Sequence, residues 1–406
     1  MPARRLGAAI DGLVTMRVDG IDVPARAGEP IAVALWASKR LVLGRSVKYH
    51  RARGAACFSG RCDGCSMRVD GAPSVLTCRT EAVHGMVIET QNVIGSATLD
   101  LLEVTDVVFA GGMNHHELFT WSKPMNRIMQ EVARHVAGVG TLPDAVRAPS
   151  DVERASVDVC VIGAGLSGLA CAEAIAAGGP SVIVLDEETA PRRGTSVEVR
   201  TSTSAVGVFD ETDGTRVVLA TCARGALVIT PKRIVIAQGR AESAEAFEGN
   251  DLPGVIALDA AERLFAHGVL PGERPVIVGA SARVAALVDR FDYEGVKATR
   301  IDRAELVRAR GRSSVRLVDA KTGAIPCDVV IVEGRTGACY ELAAQAGVEV
   351  FFDGEGFELV ASKDDGTTRH AHVLVAGSAA GVHGEEAVSA HGARVGARAL
   401  EGLRHV

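Results

Sequence analysis

Four of the nine cysteines of this 406-residue chain lie close together, and their spacing restricts what that segment can fold into. They follow the pattern C-x4-C-x2-C, then twelve residues and a fourth cysteine: Cys57, Cys62, Cys65 and Cys78. A loop with three thiolates at this spacing and a fourth from a following segment is typical of a [2Fe–2S] cluster, since iron bridged by sulfide prefers soft thiolate ligands. Gly60 and Gly64 allow the sharp bend that such a loop needs. The pattern predicts that the four cysteines hold such a cluster.

Two other uses of the cysteines are less favoured. A structural zinc site usually shows two C-x2-C pairs, and this chain has one. The other cysteines are scattered through apolar segments, as in a reduced protein without disulfides. They are Cys160, Cys171, Cys222, Cys327 and Cys339. Zinc and disulfides therefore stay only as less favoured alternatives.

Composition and charge exclude some classes of function. Hydrophobic residues make up 47% and aromatic residues 4% of the chain, with 45 glycines, which favours α/β packing over a β-sandwich. The net charge of −6 argues against nucleic-acid binding, which needs a basic surface. No apolar run is long enough to span a bilayer, and Asp11 stands where a signal peptide would have its apolar core. We expect a cytoplasmic protein with no membrane span and no nucleic-acid partner.

The first hundred residues predict a small β-grasp domain. Hydrophobicity alternates from Val14, with Asp19-Gly20 as a turn between two strands, and a helical pattern follows Pro30. Residues 101–150 show few regular repeats and predict a connector. The adjacent His115 and His116 point in different directions on any regular element, so we expect no metal site there.

A run of basic residues precedes the cysteine loop, namely Arg40, Arg45, Lys48, His50, Arg51 and Arg53. Such a run is most often a solvated face. Beside a cluster it could also tune the reduction potential or dock an acidic partner. Both interpretations are open.

A second site begins where an apolar strand runs into Gly163-x-Gly165-x-x-Gly168. An Ala-rich helix follows, and then a second apolar strand that ends at Asp186. The glycines allow a tight turn, approach of the backbone to a pyrophosphate and close helix–strand packing, while an acid after the second strand can bind a ribose hydroxyl. The pattern predicts a dinucleotide site. Its candidate residues are Gly163, Ala164, Gly165, Leu166, Ser167, Gly168, Asp186 and Glu187, with Gly377 and Ser378 from a later turn.

The strand–turn–helix pattern recurs from Pro275 with only one of the three glycines, Gly279. Ser281 and Val284 take the second and third positions, where a Cβ obstructs the pyrophosphate and the helix packing. A second dinucleotide is therefore not expected. Near the C-terminus lie a strand, the Gly377-Ser378 turn and a Gly/Ala-rich helix, whose small residues let it pack close to either the sheet or a cofactor.

Several segments, in their order along the chain, resemble the α subunits of heteromeric flavoprotein amine and amino-acid oxidases and dehydrogenases. This family includes heterotetrameric sarcosine oxidase, hydrogen cyanide synthase, opine oxidases and hydroxyproline or proline dehydrogenases. The segments are GRSVKYHRARG, QNVIGSATLDL, VIGAGLSGLACAEAIAAGGPSVIVLDEE, GNDLPGV and VLVAGSAAG.

The resemblance implies an α/β fold in which an N-terminal β-grasp [2Fe–2S] domain precedes a two-dinucleotide-binding-domain, Rossmann-like flavoprotein reductase fold. The second dinucleotide domain is expected to interrupt the first. The expected boundaries are 1–100 for the β-grasp domain, 101–150 for the connector, 151–250 with 341–406 for the first dinucleotide-binding domain, and 251–340 for the inserted, degraded one.

The resemblance also implies an oxidoreductase subunit that passes electrons through the [2Fe–2S] cluster and a bound FAD or NAD. An FAD-containing β subunit would oxidise the amine or amino acid, and a small additional subunit could join the complex. This chain departs from the family at Ser378, where an Asp is usual, and at Gln238, where a Thr is expected. Two alternatives stay open: a structural subunit that has lost its cofactors, and a stand-alone NAD(P)H-dependent ferredoxin-type reductase.

Overall fold

The computed structural model describes residues 4–7, 12–46, 49–93, 96–97, 120–136, 142–144, 151–188, 191, 193–222 and 224–404. The pair His115 and His116 and most of the predicted connector lie outside these residues. The chain divides into two compact units, residues 1–146 with 244–334 and residues 147–243 with 335–406. The finer boundaries expected from the sequence stay predictions.

Among the described residues, the N-terminal part of the first unit contains seven strands and two helices. They are β1 (Leu13–Val18), β2 (Ile21–Arg26), α1 (Ile31–Ala37), β3 (Gly44–Arg45), β4 (Ala52–Arg53), β5 (Ser66–Val69), β6 (Ala72–Leu76), β7 (Val87–Glu89) and α2 (Lys123–Val136). Five strands form a sheet in the order β2-β1-β7-β5-β6, in which β1 and β7 are parallel and the other pairs antiparallel. Every residue of α1 is buried. The turn between β1 and β2 falls at Asp19-Gly20, both with positive φ, as the sequence predicted.

The residues that the structure describes between 151 and 243 contribute one helix and seven strands to the second unit. They are β8 (Asp151–Ile162), α3 (Leu166–Ala177), β9 (Val182–Leu185), β10 (Val199–Arg200), β11 (Ser204–Asp210), β12 (Arg216–Cys222), β13 (Gly225–Ile236) and β14 (Arg240–Glu242).

Residues 244–334 return to the first unit and begin a new strand–helix alternation. Its elements are β15 (Val255–Ala257), α4 (Leu258–Ala266), β16 (Pro275–Val278), α5 (Ala282–Tyr293), β17 (Thr299–Ile301), a 3₁₀ helix (Arg303–Glu305), β18 (Leu306–Gly311), β19 (Val315–Ala320), β20 (Gly323–Pro326) and β21 (Val329–Val332). The parallel sheet has the order β15-β21-β16-β17, and β18 to β20 form a separate antiparallel sheet.

The remaining residues complete the second unit. They form β22 (Thr336–Ala338), α6 (Glu341–Gln345), β23 (Val350–Phe352), β24 (Phe357–Leu359), β25 (Val373–Val375), a 3₁₀ helix (Gly377–Ala380) and α7 (Glu385–Leu403). The main sheet of this unit has the order β10-β9-β8-β13-β12-β11, and β25 pairs in parallel with β13.

Small residues let α7 lie directly on α3. A Cβ at Gly392 would stand 2.2 Å from the carbonyl oxygen of Ser167, and one at Gly396 would stand 2.6 Å from that of Cys171. The C-terminal strand and helix therefore return to the glycine-rich segment after the intervening residues.

One apolar cluster of the first unit joins the β-grasp sheet to the segment from residue 244 onward. Trp36 and Phe58 belong to the same buried cluster as Leu264 and Phe291. In the part of the chain that the structure describes, no helix is both long and apolar enough to cross a membrane.

Candidate functional site

The four cysteines singled out by their spacing lie together. The first three are in the loop between β4 and β5, and Cys78 follows β6. The sulfurs of Cys57 and Cys62 are 3.3 Å apart, and the Cys78 thiol is in hydrogen-bonding contact with both Cys57 and Cys65. Cys65 and Cys78 are buried, whereas Cys57 and Cys62 are partly exposed. The sulfurs thus form a compact group with one open side.

Main-chain amides surround these sulfurs. The Ser59 amide donates to the Cys57 sulfur at 3.4 Å, and the amides of Ala56 and Gly64 hydrogen-bond to Cys62. Amide donors of this kind are what tunes the potential of an iron–sulfur cluster, so the loop fits that cofactor.

The thiols perturb one another's pKa values. A hydrogen bond from Cys62 holds the pKa of Cys57 well below its usual range, and the same bond raises the pKa of Cys62. A hydrogen bond from Cys78 lowers the pKa of Cys65 to about 7, and the pKa of Cys78 rises because it donates to Cys57 and Cys65. The four thiols therefore titrate as one coupled group.

The contacts between the sulfurs run from Cys62 through Cys57 and Cys78 to Cys65. Among the residues whose positions the structure gives, no three His, Cys, Asp or Glu side chains form a group typical of a single-ion site. Cys57 contacts Cys62, and Cys65 contacts Cys78. Four cysteine sulfurs brought together are the donor set that a two-iron cluster uses.

Backbone crowding fixes the course of the loop. A Cβ at Gly64 would stand 2.3 Å from the carbonyl oxygen of Gly54, and a Cβ at Gly54 would stand 2.4 Å from that of Leu41. Phe58 and Gly60 adopt positive φ angles of 51° and 76°. The sequence singled out Gly60 and Gly64, but it gave no signal for Gly54.

The basic run before the loop is not simply a solvated face. Arg45 and His50 are each only 2% exposed, and the Arg45 guanidinium donates to the carbonyl oxygen of His50 at 2.8 Å. Arg53 forms an ion pair of 3.1 Å with Asp251. These residues contribute to the packing of the loop, while Lys48 lies outside the described residues.

The glycines of the second predicted site differ in what surrounds them. A Cβ at Gly163, whose φ is +111°, would stand 2.4 Å from the carbonyl oxygen of Ala237, and a Cβ at Gly168 would stand 1.9 Å from that of Gly163. A Cβ at Gly165 would meet no atom within 4 Å. Gly163 and Gly168 thus serve packing, whereas Gly165 borders open space, as a cradle for a pyrophosphate requires.

The acid after the second strand contacts the glycine-rich loop. The Asp186 carboxylate accepts hydrogen bonds from the amides of Ala164 and Glu188. The amide oxygen of Gln238 is buried and has no partner, which leaves an acceptor for a ligand beside the loop. Glu187, the next residue, is exposed.

The later turn also reaches the glycine-rich segment. A Cβ at Gly377 would stand 2.3 Å from the Ser167 hydroxyl, and the Gly377 amide donates to Nδ1 of the fully buried His391 at 2.9 Å. Burial lowers the pKa of His391, and the charge of Arg394 acts in the same direction. No sequence pattern singled out His391, because it stands alone in a Gly/Ala-rich helix.

Comparison with known proteins places both sites in context. Residues 11–93 match the family of 2Fe-2S iron-sulfur cluster binding domains. The chain is 27% identical over 402 residues to sarcosine oxidase subunit alpha of Rhizobium meliloti (strain 1021). The predicted resemblance to the α subunits of these oxidases is confirmed. The match covers 81% of this chain but only 40% of that relative.

A solved structure confirms the fold class. L-proline dehydrogenase from P. horikoshii superposes with a TM-score of 0.75 and 22% sequence identity, covering 98% of this chain and 75% of that one. The predicted order, a β-grasp [2Fe–2S] domain followed by a Rossmann-like flavoprotein reductase fold, is therefore correct. The individual cluster and dinucleotide ligands stay predictions.

Proposed function

We propose that this chain is the electron-transfer α subunit of a heteromeric FAD-dependent amine or amino-acid oxidase or dehydrogenase. The proposal is supported by the match to a [2Fe–2S] domain and by the likeness to a sarcosine oxidase α subunit. An FAD-containing β subunit would carry the oxidation of a sarcosine-like, opine or proline-type substrate. The complex would be cytoplasmic.

The observation that carries the proposal is the group of four cysteine sulfurs. Cys57 with Cys62 would hold one iron and Cys65 with Cys78 the other; each of these pairs is in contact, and Cys57 also contacts Cys78. A bound [2Fe–2S] cluster accepts and releases single electrons, and a neighbouring flavin converts a hydride into two such steps. The buried pair would keep water from one side of the site, while the partly exposed pair would face an electron partner.

A dinucleotide, FAD or NAD, would lie at the Gly163 loop. Gly165 leaves room for a pyrophosphate next to the N-terminus of α3, whose free amides favour negative charge. The unpartnered oxygen of Gln238 and the second lone pairs of Asp186 offer acceptors for ribose or base groups.

One observation favours a second candidate, a structural subunit that has lost its nucleotide. Both Asp186 oxygens already accept main-chain hydrogen bonds, and Ser378 stands where the family usually has an Asp. In that case the chain would assemble or stabilise a catalytic partner without a nucleotide of its own.

Anaerobic purification, with and without co-expressed partner chains, separates these candidates. We expect about two irons and two sulfides per chain, a visible absorption spectrum, and FAD or NAD released on denaturation. Iron and sulfide without nucleotide would leave an electron-transfer subunit with an empty Gly163 site. A colourless protein that lacks both under all these conditions would contradict the proposal and leave the structural subunit.

A further inference from the structure

The inserted segment contains a second loop of the dinucleotide-binding type, and a side chain of the protein itself occupies it. The loop runs from Gly279, which immediately follows β16, to Ser281, which caps α5. The amides of Ala280 and Ser281 donate to Oε2 of Glu333 at 3.2 and 3.4 Å. Amides at this position of a Rossmann-type loop are the ones that bind phosphate.

In the first dinucleotide-binding domain, the residue at the position of Glu333 is an alanine, Ala237. Ile162, which immediately precedes Gly163, pairs with Ile236, and Ala237 is the next residue. In the same way Val278, which immediately precedes Gly279, pairs with Val332, and Glu333 is the next residue. The Ala237 amide donates to the Ile162 carbonyl at 2.8 Å, and the Glu333 amide donates to the Val278 carbonyl at 2.9 Å. The two residues are equivalent in register, so the chain contains its own comparison of an open loop and a filled one.

Two arginines hold this arrangement in place. Nε of Arg300 donates to the carbonyl oxygen of Gly279 at 3.0 Å, and Arg303 donates to the carbonyl oxygen of Glu333. One bond fixes the loop and the other fixes the strand end that carries the carboxylate.

The carboxylate is ionised in this setting. Burial alone would raise the pKa of Glu333, but hydrogen bonds from the Ser281 hydroxyl and from the two loop amides, with the charge of Arg303, outweigh burial and lower it. A charge-assisted contact to main-chain amides is stronger than a neutral one. Ser281 also accepts a hydrogen bond from the Val284 amide at 3.3 Å, which satisfies another donor of the helix terminus.

We propose that the carboxylate of Glu333 is a built-in substitute for a nucleotide phosphate, which excludes NAD(P)H from the inserted domain and leaves the chain one dinucleotide site. A phosphate at this loop would have to displace the carboxylate and would meet its negative charge at short range. Electrons consequently enter and leave without an NAD(P)H bound at this second loop. The inference rests on the proposed function only in assigning the one dinucleotide to the Gly163 loop.

The test measures the equivalents of NADH and the affinity for inorganic pyrophosphate of purified protein that retains its own nucleotide. Equilibrium dialysis of the wild type against NADH should show no second equivalent per chain. Glu333→Ala, which copies Ala237, should bind inorganic pyrophosphate at least tenfold more tightly than the wild type, and Glu333→Gln, which keeps the shape but removes the charge, at least threefold. Glu273→Ala removes an exposed glutamate of the same segment and should bind like the wild type.

Three results would overturn the inference: a second NADH equivalent on the wild type, no gain of pyrophosphate binding in either Glu333 variant, or an equal gain in Glu273→Ala. The conservative Gln variant keeps the test informative should the Ala variant unfold. Nucleotide released from the wild type on denaturation reports separately on the Gly163 site, so a failure of the proposed function would be visible as an empty first site.

Discussion

The main-chain amide of Ala257 donates a hydrogen bond of 3.0 Å to the carbonyl oxygen of Ala56. Ala56 immediately precedes Cys57, and Ala257 immediately precedes α4. The loop that carries the cluster cysteines is thus fixed to the inserted segment as well as to the β-grasp sheet. Residues 244–334, which also contain the Gly279 loop contacted by Glu333, thus help to hold the cluster loop in place.

The stability of the cluster loop should depend on the packing of α1 against the inserted segment. Nε1 of the buried Trp36 donates to the carbonyl oxygen of Pro271 at 3.0 Å. Trp36→Phe removes the donor and leaves a buried acceptor, which should cost about 1–2 kcal/mol of unfolding free energy. In urea titrations, far-UV circular dichroism and the visible absorbance of the cluster should shift to lower midpoints together. Trp121→Phe, at a residue that is 81% exposed, should leave both within about 0.5 kcal/mol, and a shift in one signal alone would contradict a common core.

The cluster should be lost when one of its thiolates is removed. Serine is a poor substitute because soft thiolate ligands are what iron–sulfur centres select. Cys62→Ser should reduce the iron content from about two per chain to a small fraction of that value and remove the visible spectrum. Cys222→Ser, at another partly exposed free thiol, should leave iron unchanged. Full iron content in Cys62→Ser would remove Cys62 from the ligand set.

Local patterns in the sequence were sufficient where the chemistry is local. The cysteine spacing and the strand–glycine–helix pattern each fall within one short segment, and the structure brings those residues together. The hairpin turn at Asp19-Gly20 was equally readable, because turn residues at a fixed offset determine it.

Features that depend on the pairing of distant strands could not be predicted. Glu333 looks like any polar residue after an apolar strand, and only the parallel pairing of β21 with β16 places it on the Gly279 loop. Arg45 reads as part of a solvated basic run, yet its hydrogen bond to His50 lies in a buried loop. Gly54 is required because Leu41 approaches it, and nothing in the sequence indicates that contact.

The stability of the chain should fall at mildly acidic pH because of His391. This histidine is fully buried, accepts the Gly377 amide at Nδ1, and has a pKa lowered by burial from its usual value of 6.5. Its neutral form stabilises the fold above the unfolded pKa, and below that pH the unfolded chain takes up a proton that the folded chain does not. The loss should reach at most about 1.4 kcal/mol per pH unit.

Urea unfolding at pH 7.5 and pH 5.5 measures this effect. His391→Gln can still accept a hydrogen bond but does not titrate, so its stability should change less between the two values than that of the wild type. The charges of Arg394, Asp364 and Asp365 also act on this imidazole, and that of Arg394 lowers its pKa. Arg394→Gln should therefore reduce the pH dependence of the unfolding free energy, but by less than His391→Gln. An identical pH dependence in the wild type and His391→Gln would show that other groups cause it.

Substitutions of two glycines in the first loop should distinguish an effect on nucleotide binding from an effect on folding. Gly165 has an extended backbone, with φ −71° and ψ −175°, and a Cβ there would meet only open space. Gly165→Ala should therefore fold with the stability of the wild type when no nucleotide is bound, yet retain nucleotide at least tenfold more weakly, because the methyl group takes the place of the pyrophosphate.

A Cβ at Gly168 would instead stand 1.9 Å from the Gly163 carbonyl oxygen, so Gly168→Ala should lower stability by about 1–3 kcal/mol through overpacking, whatever is bound. Thermal unfolding with and without added FAD or NAD, together with nucleotide released per chain, distinguishes the two effects. Should Gly165→Ala retain nucleotide as the wild type does, the open space beside Gly165 is not where the dinucleotide binds.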